Sequence, residues 1–308
     1  MISVLLMEKI AGLFLMMFLG FVIVKTRIVQ SEDSLVLSKI SLYVIMPCVI
    51  IQAFQVDFNK EVRDGLLLAF IVSLVIHIVL LILAEIGKRL FSLNAVELAS
   101  MIYSNAGNLI IPLVIGVIGD EWVIYTSAFL SVQLIFIWTH GKCLFTREQK
   151  NDWKKILLNP NMIAVYIGFV LLFGGWKFPV IIQDTMGSVS GMIGPISMMI
   201  TGMLVAGMPV RKVVGNKRIY LIAFLRMIVC PALVLVLIKI SGVEELVKNG
   251  DQILLITFLA TMTPAASTIT QFAQIFKKDP EYASAINILT TLLCIITMPI
   301  FVALYGWV

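Results

Sequence analysis

Two short stretches set hydrogen-bonding side chains and helix breakers in the middle of apolar runs. The first reads Tyr103-Ser104-Asn105-Ala106-Gly107-Asn108-Leu109-Ile110-Ile111-Pro112. The second reads Thr261-Met262-Thr263-Pro264-Ala265-Ala266-Ser267-Thr268-Ile269-Thr270-Gln271. An interior proline costs about 3 kcal/mol in a helix, and a glycine about 1 relative to alanine. Amide side chains removed from water need partners. Two unwound segments are therefore predicted. Unwinding frees main-chain N–H donors and C=O acceptors, and a half-helix that starts after a break presents partial positive charge. That chemistry suits reversible capture of a small anion. On this reading Asn105, Gly107, Asn108, Ser267 and Thr268 contact a substrate, while Pro112 and Pro264 hold the breaks. The plainer alternative is that both prolines kink packed helices whose Ser and Thr residues satisfy the freed carbonyls.

Other polar residues lie in apolar runs. Arg226 either faces a cavity and attracts the anion, or snorkels to an interface on its long stem. His77 could relay protons, although a lone histidine is more often a packed core residue. Glu85 and Glu97 are expected to pair with Lys88 or Arg89, with ion coupling as the alternative role. Gln133 could satisfy a carbonyl at a broken helix or take part in coupling.

Several chemistries are disfavoured. Two histidines and four scattered cysteines, without a CxxC pair, argue against a zinc or haem site. No cofactor is expected. Gly187-Ser188-Val189-Ser190-Gly191 is not a nucleophile elbow, since valine holds the centre. No P-loop stands in the chain to use ATP. The net charge of +5 is explained by membrane topology, so no nucleic-acid partner is expected.

The elements that must position these residues are membrane helices. Of 308 residues, 60% are hydrophobic and only 13% charged, against about 25% charged in an ordinary soluble domain. Lipid must be the solvent for much of the chain, and only helices or closed barrels satisfy their backbones there. Unbroken apolar runs such as Leu66 to Leu83 exclude the alternation of a barrel. Ten spans are expected, near 5–24, 35–55, 66–87, 96–118, 122–145, 160–176, 185–208, 219–240, 252–276 and 282–305. Loops after odd spans hold fifteen basic residues and loops after even spans hold four. Positive loops stay inside, so both termini should be extracytoplasmic, and the 146–158 loop cytoplasmic. Leu19-Gly20-Phe21 resembles Ile167-Gly168-Phe169, and Leu68-Ala69-Phe70 resembles Ile222-Ala223-Phe224, at offsets near half the chain. Two halves, 1–150 and 151–308, of five spans each would be inverted relative to one another, a common transporter plan. Small residues at Gly187, Ser190, Gly191 and Gly194 allow close helix approach in span seven, at a dimer interface or within one chain.

The Asn-x-Gly-Asn-x-x-x-Pro pattern from Asn105 to Pro112 resembles the fourth-span motif of the auxin efflux carrier family. Pro264 with Gln271-Phe272-Ala273-Gln274-Ile275-Phe276 and Asp279 resembles its ninth span, and Met46-Pro47 and Gly194-Pro195 fit as well. The resemblance implies an inverted five-plus-five repeat with crossing broken helices four and nine. It also implies a scaffold of spans 1, 2, 6 and 7 that often dimerises, and a mobile transport domain made of the rest. Family members carry auxin in plants and are thought to carry carboxylates such as malate or malonate in bacteria. The long central loop of the plant carriers is absent here, which implies a compact bacterial-type permease of the cell membrane. The expected function is thus secondary transport of a small organic anion by alternating access, coupled to protons or sodium, in a homodimer. The alternatives are a ligand sensor with a transporter fold and, further off, a membrane enzyme.

Overall fold

The computed structural model describes residues 2–146, 157–207 and 215–307. The basic residues of the 146–158 loop from Arg147 onward, and Arg211 and Lys212, lie outside the described residues. Among the described residues the structure is helical and carries no strand, with one isolated β-bridge. The chain is an all-α, multi-pass membrane protein. Among the described residues, six helices are long and apolar enough to cross a bilayer: α2 (Ser31–Ala53), α3 (Lys60–Phe91), α6 (Asp120–Phe145), α8 (Val180–Ala206), α9 (Lys217–Ser241) and α12 (Pro280–Gly306). Shorter apolar helices stand at the remaining expected spans: α1 (Ile2–Lys25, with Leu15–Lys25 as its apolar part), α7 (Pro160–Gly174) and α10 (Gly250–Met262). The fourth expected span is two pieces, α4 (Ala95–Ile102) and α5 (Ala106–Val117). The ninth is likewise α10 followed by α11 (Ser267–Ile275).

Residues group into two compact units that interleave along the chain. One comprises Met1–Leu67, Gly107–Ser131 and Lys154–Met208. It takes in expected spans 1, 2, 6 and 7. Glycine sets its tightest packing: Gly20 on α1 faces the main chain of Met199 on α8, and Gly202 on α8 faces the main chain of Met17 and Phe21. A Cβ at either position would collide with backbone, so this pair of helices approaches at a distance that only glycine permits. Elsewhere in the unit Gly168 on α7 lies against the Phe54 ring, and Phe54 packs on Phe169 with centroids 4.9 Å apart. Outside the helices, Lys177 pairs with Asp57 at 2.6 Å, and the Phe178 N–H donates to Gln55 Oε1 at 3.0 Å. Lys177 holds the Asp57 carboxyl below the usual carboxylate range by that hydrogen bond and by its charge.

The other unit comprises Leu68–Ala106, Val132–Trp153 and Pro209–Val308. Its core is lined by Ile102, Tyr103, Ile222, Val234, Phe258 and Ile286, each 0–1% exposed. At one end Glu97 is tied to two other helices. Its carboxylate accepts from Arg218 Nε at 2.6 Å and Nη2 at 2.7 Å, and from the Tyr282 hydroxyl at 2.6 Å. It also accepts from the Asn94 N–H, completing a capping box at the start of α4. Glu97 therefore does not pair with Lys88 or Arg89 as expected. Those two belong to Glu85, three and four residues earlier on α3.

Among the described residues three helices contain a π-turn: Ser41–Ile45 in α2, Ile137–Gly141 in α6 and Leu225–Val229 in α9. Two of them end two residues before a proline, Pro47 and Pro231. A proline has no N–H for the carbonyl one turn back, so the preceding turn is free to widen.

Candidate functional site

The two breaks meet inside the second unit. α4 ends at Ile102, and Tyr103, Ser104 and Asn105 run extended or irregular before the helix resumes at Ala106. α10 ends at Met262, and residues 263–266 are non-helical before α11 starts at Ser267. Ser104 and Ala265 form an antiparallel bridge. The Asn105 N–H donates to the Pro264 carbonyl at 2.8 Å, and the Ala266 N–H donates to the Tyr103 carbonyl at 2.9 Å. Each break thus supplies the main-chain partners that the other has lost, which is what buried peptide groups require.

Each leg is then braced from a neighbouring helix. Gln133 on α6 treats Ser104 as a second peptide would. Its Oε1 accepts the Ser104 N–H at 2.9 Å and the Ser104 hydroxyl at 2.5 Å, while its Nε2 donates to the Ser104 carbonyl at 2.9 Å. Asn287 on α12 donates to the Ala265 carbonyl at 2.5 Å, and the Ala265 N–H donates to the Thr290 hydroxyl at 3.2 Å. Tyr103 is anchored at its far end: its hydroxyl donates to the Phe136 carbonyl at 2.9 Å and lies 2.8 Å from His140 Nδ1.

Arg226 is fully buried beneath the meeting point. Its Nη1 donates to the Met101 and Ile102 carbonyls at 3.1 and 3.4 Å. Its Nη2 donates to Thr261 and Thr263 at 2.9 Å each, and its Nε to Thr263 at 3.2 Å. These are the terminal carbonyls of α4 and α10. Each helix C-terminus carries about half a negative charge, so two together offset one guanidinium. The remaining carbonyl there, Met262, faces the Cys294 thiol at 3.8 Å. The π-turn from Leu225 to Val229 carries the arginine. In this structure all five of its hydrogen bonds go to main chain, and the side chain is fully buried.

Of the residues expected to contact substrate, Asn105, Ser267 and Thr268 lie at or directly after the bridge and are partly exposed. Gly107 and Asn108 follow in the chain in the first turn of α5 and belong to the first unit. Gly107 there faces the methyl end of Met46. The side chain of Asn108 lies outside the described residues. Pro264 sits in the break itself. Pro112 does not: it is the seventh residue of a continuous α5. The helix accommodates it, and the unwinding is set upstream by main-chain pairing. His77 is buried on α3, with Nδ1 2.7 Å from the Ser73 carbonyl and its ring stacked on Phe136 at 5.5 Å. Glu85 is half exposed beside Lys88 and Arg89. Among the described residues, no cluster of three His, Cys, Asp or Glu could hold a metal ion.

Two apolar half-helices that end on a shared cation and restart after a main-chain bridge, within a multi-pass helical chain, are the broken-helix pattern that membrane transporters use. The family of membrane transport proteins that includes the auxin efflux carriers matches residues 5–302, and the chain belongs to it. Comparison with curated proteins gives no match.

Proposed function

We propose that the protein is a secondary active transporter of a small organic anion, a carboxylate such as malate, malonate or an auxin-like acid, working by alternating access. The observation that carries this reading is the pair of breaks bridged at Ser104 and Ala265. α11 starts two residues after Ala265 and α5 two residues after Ser104. First-turn N–H groups have no intrahelical partner and sit at the positive end of the helix dipole. They suit a carboxylate, with Asn105, Gly107, Asn108, Ser267 and Thr268 supplying further contacts. Arg226 serves the meeting point rather than the substrate, because its donors are spent on carbonyls.

The inverted repeat of 1–150 and 151–308 is part of the same proposal. Gln133 and Asn287 do equivalent work on the two legs and stand 154 positions apart, 133 to 287, the offset that also relates Leu68 to Ile222. An ion gradient, of protons or sodium, drives transport. Both termini face outward from the cell membrane, and the protein is a homodimer. The test is accumulation of labelled malonate in proteoliposomes, competed by a panel of carboxylates. Saturable, time-dependent uptake is expected. Binding without accumulation would favour a sensor with this fold, and preference for an organic cation over every carboxylate would refute the anion reading.

A further inference from the structure

Helix breaks at membrane depth leave carbonyl oxygens without partners, and a ring of such oxygens is what a small metal cation binds. Four of those oxygens, from Met101, Ile102, Thr261 and Thr263, converge here from two helix C-termini. They converge on a guanidinium. Arg226 is 0% exposed, arrives from a third helix, and spends its N–H groups on that cluster through five hydrogen bonds. Among the described groups at this point there is no carboxylate to pair with it. The counter-charge is the helix termini themselves. An arginine is expensive to bury unless its environment is built for it. Here the Leu225–Val229 π-turn carries it, and the Thr261 and Thr263 hydroxyls bond within their own segment, to the Thr257 and Ala260 carbonyls, leaving the Thr261 and Thr263 carbonyls to the arginine.

From this we infer that Arg226 is a resident cation: it permanently fills the carbonyl cluster that a monovalent metal ion would otherwise occupy at the breaks, so the meeting point of the two broken helices neither binds sodium nor couples transport to it. The inference rests on the transport reading only for the word coupling; the occupancy of the cluster stands apart from it. Arg226 is then a positioning residue. It holds α4 and α10 at the separation that lets Ser104 and Ala265 bridge. A guanidinium does this in a way that a lysine ammonium, with three donors on a shorter reach, does only in part.

Two readouts test this, one independent of any substrate. Thermal unfolding of purified wild type, Arg226→Ala and Arg226→Lys would be followed by tryptophan fluorescence in equal low concentrations of choline, sodium or guanidinium chloride. The wild type should melt at one temperature in all three salts. Arg226→Ala should melt on the order of 10 °C lower in choline, and guanidinium should recover part of that loss, with Arg226→Lys between the two. In proteoliposomes, wild-type malonate uptake should run at the same rate when choline replaces sodium. A rise in wild-type melting temperature on adding sodium would overturn the inference. So would an Arg226→Ala variant that melts like wild type, or one that guanidinium fails to stabilise. If the alanine variant does not fold, the sodium response of the wild type and the salt series on Arg226→Lys still decide the matter. Absence of malonate uptake by the wild type would count against the transport reading alone, because the melting comparison does not depend on it.

Discussion

Replacing Gln133 by leucine keeps the volume of the side chain and removes its amide. Three hydrogen bonds to Ser104, a residue only 3% exposed, disappear, and its N–H and C=O are left without partners. Two estimates bracket the cost. Side-chain hydrogen bonds inside membrane proteins average about 0.6 kcal/mol, because the unfolded chain in lipid also finds partners; three give a floor near ~2 kcal/mol. Two buried peptide groups without partners cost about 1–3 kcal/mol each, which gives a ceiling near ~6 kcal/mol. The leg can relax slightly, since its other edge is still paired to Pro264, so about 3 kcal/mol is the expected loss. For a chain of this size that lowers the melting temperature by roughly 6–10 °C. The assay is thermal unfolding in detergent, with Thr139→Ala as control, because that exposed hydroxyl bonds only its own helix at Ile135 and Phe136. Anion uptake should fall with the stability, as the bridge that shapes the site loosens. Adding Asn287→Leu should cost less than the sum of the two single changes, by about 1 kcal/mol, since both residues brace one bridged pair. A Gln133→Leu variant that melts within about 2 °C of wild type and transports normally would refute the reasoning.

Asn108→Ala should abolish or greatly weaken uptake while the protein still inserts and melts near the wild-type temperature; aggregation instead would make Asn108 a structural residue. Glu97→Gln keeps the Asn94 cap but gives up the charged partner of Arg218. It should lower the melting temperature measurably, and Arg218→Leu should add little on top, as double-mutant melting will show. The Asp57–Lys177 pair is exposed, so Asp57→Asn should leave melting at pH 7 almost unchanged. Because the folded-state pKa of Asp57 is depressed, any contribution is present above the ordinary carboxylate range and is lost as pH falls through the lowered value. The variant should therefore differ from wild type less in acid than at neutrality, which melting curves across pH will check. A single cysteine at Lys150 should resist an impermeant reagent applied to intact cells, and strong labelling there would reverse the orientation.

The breaks were legible because proline, glycine and amides are costly inside apolar helices wherever they fall. Their extent was not. Cost pointed to Pro112, whereas the chain rewinds at Ala106 because main-chain pairing, which no local rule reads, satisfies only Tyr103 to Asn105. Gln133 was visible as a lone amide able to serve a broken-helix carbonyl. Its counterpart Asn287 was missed, although Asn287, Thr290 and Thr291 form a polar patch at helical spacing in the last span. The direction of Arg226 could not be read, since a π-turn shifts the face of every residue after it and defeats a 3.6-residue count. Glu97 was assigned to nearby Lys88 and Arg89 because nearby charges are the ones a sequence shows. Its partner stands 121 residues away, and only the fold brings it close.

The glycine contacts between α1 and α8 bear on the order in which the protein can be assembled. Gly20 cannot meet Met199 until 179 more residues have been made, which at 5–20 residues per second is roughly 10–35 s of synthesis. Through that interval the first helix must wait in the bilayer without its closest neighbour. Arg226 faces a shorter wait, roughly 2–7 s, before Thr263 emerges to complete its carbonyl shell. A nascent chain stalled between those points would expose a lone guanidinium to lipid, and such a chain is the one that membrane quality control should recognise first.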